Sequence, residues 1–562
     1  MTTFTVNEAL ERIESRGADP VWISRFPRAE VLARAQGVAA GAPLAGRCFA
    51  VKDNIDLEGL PTTAGCPDYA YSPVCSAPVV QRLLDAGAVA LGKTNLDQFA
   101  TGLVGVRSPY GVPANPYGSA FIPGGSSSGS AVAVAAGLCD FALGTDTAGS
   151  GRVPAAFNNL VGLKPTRGLL STRGVVPACR TLDCVSIFSR TVAVSARVLA
   201  VAANFDPEDP YSRCAAPPLV DEAWPPRVGV PRCDQLEFFG DSAAAGLFAA
   251  AKDRWRSLGA RIVEVDFAPF LAAARLLYDG PWVAERYAAI REFIERKPGA
   301  LHPVTRKIIE SARTLTATGT FEAAYKLAAL RRQSEAVWTE VDVLLTPTAG
   351  TIYTVAEVEA DPIRLNSNLG YYTNYLNLLD LCAIAVPAGF LPNRMPWGVT
   401  LVAPAFCDDR VLRLGARFLG EAAPVRALPA QGPMTQLAVC GAHLSGLPLN
   451  WQLIQLGATL VRATRTASSY RLYALPGTTP PKPGLVRASA GGEPIAVEVW
   501  EIPLAGYGRF VAGIPGPLGI GSIELEDGSW VQGFLCEGLA VQGALEVTAF
   551  GGWRAWLGRR QG

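Results

Sequence analysis

Histidine is almost absent from this chain: its 562 residues include only two, His302 and His443. Serine chemistry with a histidine base, and metal sites built on histidine, therefore have little to draw on. The twelve cysteines are scattered, with no CxxC pair and no nearby His-x-His, so neither a zinc site nor any other metal or cofactor is expected. A chain this long needs no disulfide framework. An excess of either charge is also missing. Fifty basic residues against 49 acidic ones leave a net +1, which points away from nucleic acid and anionic membranes and toward a small ligand. No apolar run approaches the ~18 residues of a membrane span. The opening MTTFTVNEALERIESRG carries acids and lacks the apolar stretch of a secretory signal. A reduced, cytoplasmic enzyme is the expectation.

Serine and glycine, by contrast, crowd into two places: PGGSSSGS at Pro123–Ser130 and GTDTAGSGRVP at Gly144–Pro154. Between them, AVAVAAGLCDFALG is a nearly continuous apolar run that must be buried, so the hydroxyls flank a core element and do not form a flexible linker. Two generic motifs also match. GAVALGKT (Gly87–Thr94) fits a phosphate loop, yet its first glycine ends a helical pattern and the residues after it read as a strand, the reverse of what that motif requires. GSSSG (Gly125–Gly129) fits a nucleophile elbow, but a turn-rich loop leads into it and a histidine partner is wanting. Such a serine needs another base. Lys52, in FAVKDNID, stands on or just after an apolar strand, where burial disfavours the ammonium. Acting near pH 7 to 8 requires its pKa to fall from ~10.4 by roughly 2 to 3 units. The plainer alternative is a salt bridge from Lys52 to Asp53 or Asp56.

Along the chain, strands rich in Ala and Val (Gly46–Ile55, Ala88–Thr94) alternate with helical spacing (Ala77–Gly87), which predicts an α/β core. A Pro-rich stretch at Phe205–Arg227 reads as a surface connection. A second break at Glu421–Met434 precedes strand-like segments separated by Gly/Pro turns, so a domain boundary is expected near residue 432.

Taken together, AVKDNID, GGSSSGS, GTDTAGSGRVPA and LGKTNLDQFA resemble the amidase signature family of Ser-cisSer-Lys amide hydrolases. That resemblance implies a mixed sheet covered by helices over residues 1–432. It also implies Ser150 as nucleophile, Ser126 as a bridging serine after a cis peptide, and Lys52 as base. Backbone N–H groups of Thr147, Ala148, Gly149 and Ser150 would form the oxyanion hole, in a turn expected to open a helix. Further segments, at Leu276–Ile290, Asp342–Val358 and Asn368–Phe390, look like the allophanate hydrolase family. The resemblance assigns Tyr278 and Arg286 to binding a substrate carboxylate. Read by themselves, Tyr278 serves equally well as a core-edge aromatic and Arg286 as partner to a neighbouring carboxylate. About two helical turns separate them, with Gly280 and Pro281 as a possible interruption.

Residues 433–562 resemble the C-terminal domain of the same family, through GAHLSGLPLNWQL and ATRTASSYRLYALPGTTPPKPGLVR. This implies a small β-rich α+β domain similar to γ-glutamylcyclotransferase-like barrels. The resemblance further implies hydrolysis of allophanate, a functional link to a biotin-dependent urea carboxylase, and a homodimer. Biuret or malonamate is the alternative substrate, with the C-terminal domain then acting only as an interaction module. His443, at the end of an apolar strand entering a Gly-flanked turn, is by the resemblance a base that promotes decarboxylation of the N-carboxycarbamate product; Asn450 and Glu501 are candidate companions only by their polarity near apolar strands. A histidine that merely fixes the turn is the alternative. His302, beside a proline at a helix start, reads as a cap.

Overall fold

Alanine- and valine-rich runs that alternate too little to have a wet face must be covered on both sides, and here they pair into one large sheet. The computed structural model describes residues 5–39, 41–214, 225–424 and 434–560. The boundary expected near residue 432, and residues 215–224 of the Pro-rich connection, lie outside the described residues. Among the described residues two compact units form, one ending at 424 and the other beginning at 434, with Cys214 counted in the second.

The first unit holds β1 (Trp22–Arg25), β2 (Cys48–Lys52), β3 (Val89–Thr94), β4 (Phe141–Asp146), β5 (Val161–Lys164), β6 (Cys184–Ser189), β7 (Arg227–Pro231), β8 (Arg261–Val265), β9 (Val343–Pro347), β10 (Leu381–Phe390) and β11 (Pro396–Pro404). They form one sheet in the order β1-β3-β2-β4-β6-β5-β10-β11-β9-β7-β8. The sheet is mixed: β2 runs parallel to β3 and β4, whereas β4 and β5 run antiparallel to β6. Phe49 of β2 stacks on Phe141 of β4, with ring centroids 5.1 Å apart, which locks these two strands in register. Parallel pairing in that register sets the end of β2, with Lys52, beside the end of β4.

The apolar run after the first serine cluster divides into two elements. Ser128–Ala135 is a helix whose small side chains let it lie on β2, β3 and β4, and Phe141–Asp146 is β4 itself. The phosphate-loop lookalike folds as its pattern demanded. A helix spans Pro78–Asp85, Gly87 takes a positive φ of 87°, and the lysine falls inside β3. Among the described residues no helix is long and apolar enough to cross a membrane.

In the second unit, β12 (Met434–Val439), β13 (Thr459–Arg465), β14 (Tyr470–Ala474), β15 (Pro483–Arg487), β16 (Ala496–Pro503), β17 (Leu518–Glu524), β18 (Trp530–Cys536) and β19 (Leu545–Glu546) build a five-stranded sheet, β13-β16-β12-β18-β17, and a three-stranded one, β15-β14-β19. A single apolar core, with Leu437, Tyr470, Leu485 and Val499 among its members, joins the two sheets.

One glycine ties the sheet to the second serine cluster. A Cβ on Gly162 of β5 would stand 2.3 Å from the Gly151 carbonyl oxygen and 2.5 Å from Ala155 Cβ. Gly162→Val should therefore displace the 147–152 turn, cost about 1–3 kcal/mol as overpacking does, and depress amide hydrolysis. Thermal unfolding together with an ammonia-release assay checks this. An unchanged midpoint and rate would mean that the turn tolerates the displacement.

Candidate active site

Most of the hydroxyls in PGGSSSGS have structural duties. Ser127 Oγ donates to the Thr145 carbonyl at 3.2 Å and accepts from the Thr145 N–H at 3.3 Å. Ser130 Oγ donates to the Leu143 carbonyl at 2.9 Å and lies 2.7 Å from Thr94 Oγ1. These bonds staple the start of the helix to β4 and β3. Ser127 is the central residue of the elbow lookalike, so that motif is spent on packing. Ser126 differs. The Gly125–Ser126 peptide is cis, and Lys52 Nζ donates to Ser126 Oγ at 2.7 Å.

Lys52 also donates to Thr145 Oγ1 at 2.7 Å, and among the described residues it has no carboxylate within ion-pair distance. The expected rivals are engaged elsewhere. Asp53 pairs with Lys93 of β3 at 3.4 Å, and Asp56 accepts from Thr62 and Tyr71 at 2.8 Å. The salt-bridge alternative for Lys52 is thus closed, and the lysine of the phosphate-loop lookalike closes it. Burial pulls the Lys52 amine down to about 7. Asp97, Asp146 and Asp183 oppose that fall from a distance, and Arg286 adds to it.

The turn carrying Ser150 is wrapped around one carboxylate. Asp146 accepts from the Gly149 N–H at 2.8 Å, the Gly151 N–H at 3.0 Å, and Arg152 at 2.8 and 2.9 Å. Burial favours the protonated acid, but the Arg152 guanidinium and these donors outweigh it and hold Asp146 below the usual carboxylate range. Arg152 also donates to the Thr373 carbonyl, and Asn377 donates to the Asp146 carbonyl at 2.7 Å. Gly149 has φ 130°, and a Cβ there would meet Thr373 Oγ1 at 2.4 Å, so only glycine fits. The helix Val153–Phe157 begins just beyond.

Ser150 is buried in this turn, and among the described residues its Oγ makes no hydrogen bond to Ser126. Of the four expected oxyanion donors, Gly149 has given its N–H to Asp146. The amides of Thr147, Ala148 and Ser150 donate to no protein group among the described residues. Thr147 Oγ1 donates to Asp183 Oδ1 at 2.5 Å, which fixes the start of the turn.

Tyr278 ends the helix Ala268–Asp279 and Arg286 lies on the next, Trp282–Ala289, with Gly280 and Pro281 at the break. Despite that break the two side chains meet: the guanidinium lies 5.8 Å from the centre of the Tyr278 ring, which packs in a cluster containing Ala148. Arg286 is buried. It donates to Thr101 Oγ1 at 3.1 Å and the Ala100 carbonyl at 3.4 Å, with no carboxylate in ion-pair range among the described residues. Burial works against its charge, yet the nearby Cys179, Tyr278, Asp183 and Glu285 more than compensate, so it stays a cation. A buried, hydrogen-bonded cation that lacks a counter-ion among the described residues has the chemistry to receive a small anion.

In the second unit, His443 lines a cavity and shares a hydrogen bond with Gln452, Nε2 to Oε1 at 2.8 Å. Asn450 donates to the His443 carbonyl at 2.9 Å, whereas Glu501, on β16, is not part of the cavity wall. His302 caps the helix Pro303–Glu310, its Nδ1 accepting from the Val304 N–H.

Sequence reasoning passed over Thr145, Asp146, Arg152, Asp183 and Asp97. The first three stand within GTDTAGSGR itself, and a paired acid and base inside an otherwise apolar stretch was the available signal. Asp97 and Asp183 reach the site only through the fold. The burial of Lys52 has a measurable effect on stability. Below about pH 7 both folded and unfolded chains carry the ammonium, so the full cost of burying it is present. Between 7 and the ordinary 10.5 only the unfolded chain is protonated, and the cost shrinks as pH rises. Lys52→Met escapes this cost, so its stability relative to wild type should fall, by at most about 1.4 kcal/mol per unit, between pH 7 and 10. Denaturant unfolding of both proteins measures the gap. A gap independent of pH would show that Lys52 keeps an ordinary pKa.

Residues 5–412 match the Amidase family, and residues 435–558 match the allophanate hydrolase C-terminal domain. The chain is 42% identical, over 98% of its length, to the urea amidolyase of Lachancea kluyveri, of which it spans about a third (32%). In structure it is similar to the allophanate hydrolase of Kluyveromyces lactis, with a TM-score of 0.78, 41% identity, and coverage of 99% of this chain and 97% of that one. A less extensive likeness is to a glutamyl-tRNA(Gln) amidotransferase chain from Thermotoga maritima, with a TM-score of 0.63, 30% identity, and coverage of 73% of this chain and 89% of that one. The chain belongs to the amidase family and carries an allophanate hydrolase C-terminal domain after it.

Proposed function

We propose that the first unit hydrolyses the terminal amide of allophanate with Ser150 as nucleophile, Ser126 as relay and Lys52 as base. The observation that carries this reading is Lys52 itself: buried, free of any ion pair among the described residues, with an amine brought down to about 7 and bonded to Ser126. Neutral Lys52 takes a proton from Ser126 as Ser126 takes one from Ser150, whose Oγ attacks the carbamoyl carbon. The developing oxyanion faces the uncommitted amides of Thr147, Ala148 and Ser150. The C–N bond then breaks, and its electron pair leaves with nitrogen, which receives the relayed proton and departs as ammonia. Water then releases N-carboxycarbamate from Ser150. Arg286 and Tyr278 hold the substrate carboxylate throughout, while burial, with a smaller contribution from Arg286, keeps the lysine from retaining a proton.

The second unit completes the reaction on this reading. N-carboxycarbamate takes up a proton on nitrogen, one C–N bond breaks with its electrons passing to nitrogen, and carbon dioxide leaves carbamate behind. His443 manages that proton in a mostly apolar cavity, where the separated charges of a dicarboxylate are least stable. Urea amidolyases are about three times as long as this chain and extend over it almost completely. This supports a role downstream of a biotin-dependent urea carboxylase, and a cytoplasmic homodimer is the form proposed for it.

Ammonia release should be abolished in Ser150→Ala and fall at least ~10²-fold in Lys52→Ala, since general-base catalysis supplies ~10²- to 10⁴-fold. In wild type kcat/KM should climb through about pH 7 to a plateau, because the active form is the neutral amine. More than a tenth of wild-type kcat surviving in Lys52→Ala would remove the lysine from its role. A substrate panel of allophanate, biuret and malonamate with ammonia and carbon dioxide both measured tests the substrate, and preference for either of the latter two would displace allophanate.

Arg286→Lys should raise KM for allophanate much more than for an uncharged small amide, because the planar fork that matches a carboxylate is lost. Equal losses on both substrates would reduce Arg286 to a structural role.

A further inference from the structure

The cavity beside His443 measures about 460 Å³ and is walled mainly by apolar groups, Phe510 and Phe534 among them. Lys482 is the one formally charged side chain in its lining among the described residues, and no carboxylate there lies within ion-pair distance of it. Its backbone is fixed to the wall. The Lys482 N–H donates to Thr478 Oγ1 at 2.9 Å, and its carbonyl accepts from the Leu475 N–H at 3.1 Å. Pro483 follows so close to Gly441 that a Cβ there would stand 2.4 Å from the proline Cδ. A half-buried cation held on the wall of a mostly apolar cavity, without a partner among the described residues, is a natural receptor for an anion.

His443 does not complete it. Its ring stacks on Phe534, centroids 5.0 Å apart, and meets Phe510 edge-on at 5.3 Å. With Gln452 Oε1 accepting, the ring proton sits on Nε2, and Nδ1 keeps a lone pair that no described residue engages. A neutral ring presenting a lone pair offers a carboxylate nothing. Burial favours the neutral ring, the Gln452 bond opposes this, and Lys482, which lines the same cavity, reinforces it.

We infer that Lys482 is the residue that holds a carboxylate of the dicarboxylate in this cavity, while His443 remains free for proton transfer. The inference rests on the reading that the product of the first unit, N-carboxycarbamate, reacts in the second. It adds what that reading lacked, a cation to receive a dianion.

With only two histidines in the chain, imidazole signals give a local readout. Malonate, which replaces the central N–H of N-carboxycarbamate with CH2, is titrated into the full chain labelled at histidine. The His443 signal should move and saturate. Lys482→Met should weaken that binding at least tenfold, and Lys482→Arg should restore it to within a few-fold, with thermal midpoints reporting that each variant is folded. An unmoved His443 signal, an unchanged isotherm in Lys482→Met, or equal loss in the Met and Arg variants would overturn the assignment. A separate comparison follows the decay of N-carboxycarbamate with wild type and His443→Ala. Equal decay rates would defeat the decarboxylation reading and leave the malonate result to decide on the binding site alone.

Discussion

Lys52 is buried at the end of β2 with three carboxylates near enough to act on its charge and, among the described residues, none close enough to pair with it. Each of the three is held back by earlier commitments. Asp97 accepts from the Gly105 and Arg107 amides at 2.9 Å, Asp146 is saturated by Arg152 and two amides of the serine turn, and Asp183 accepts from Thr147 and from the Cys179 and Ala178 amides. Were any of them to swing onto Nζ, the ion pair would restore the ammonium and leave Ser126 facing a proton donor. The bonds that hold the carboxylates away also shape the loops. Asp97 orders the 105–107 segment and donates its own N–H to the Ser126 carbonyl at 3.0 Å, while Asp146 folds the turn that carries Ser150. The lysine's basicity and the positions of both serines thus come from one set of hydrogen bonds.

The second unit meets a related problem with different groups. A histidine is already near neutral pH in its ordinary state, so burial beside Phe510 and Phe534 needs only to keep it neutral. What an anionic ligand requires there is a cation, and Lys482 stands at the same cavity. In the first unit Arg286 holds the comparable position, buried and without a carboxylate partner among the described residues. On the proposed reading each site pairs a base with a separate cation that receives the anion. A base that stays neutral and a cation that stays charged cannot be the same group at the same pH.

Two local patterns were misleading for the same reason. GAVALGKT carries the residues of a phosphate loop, and GSSSG those of a nucleophile elbow, but neither has the flanking elements its chemistry requires. In the fold Lys93 neutralises Asp53 and Ser127 staples a helix to β4. The order of elements was readable in the sequence and argued against both patterns. What it did not reveal was that the first decoy, by occupying Asp53, releases Lys52 from a salt bridge.

The sequence alone pointed to a class of chemistry. With almost no histidine to serve as base, serine-rich turns flanking an apolar run, and a lysine on an apolar strand, a Ser-Lys hydrolase was the consistent reading, and the alternation of strands and helices around it followed from apolar spacing. It also marked Tyr278 and Arg286, but could not choose between packing and binding for either, because one helix period looks the same for both. Tertiary structure brings the two together across the break at Gly280–Pro281 and leaves the guanidinium without a carboxylate among the described residues, which supports binding. Only tertiary structure, likewise, gave Gly149's N–H to Asp146 and brought Asp97 and Asp183 near a lysine far from both in sequence. A pKa depends on burial and on charges within several ångströms in every direction, and linear order reports on only one of those directions.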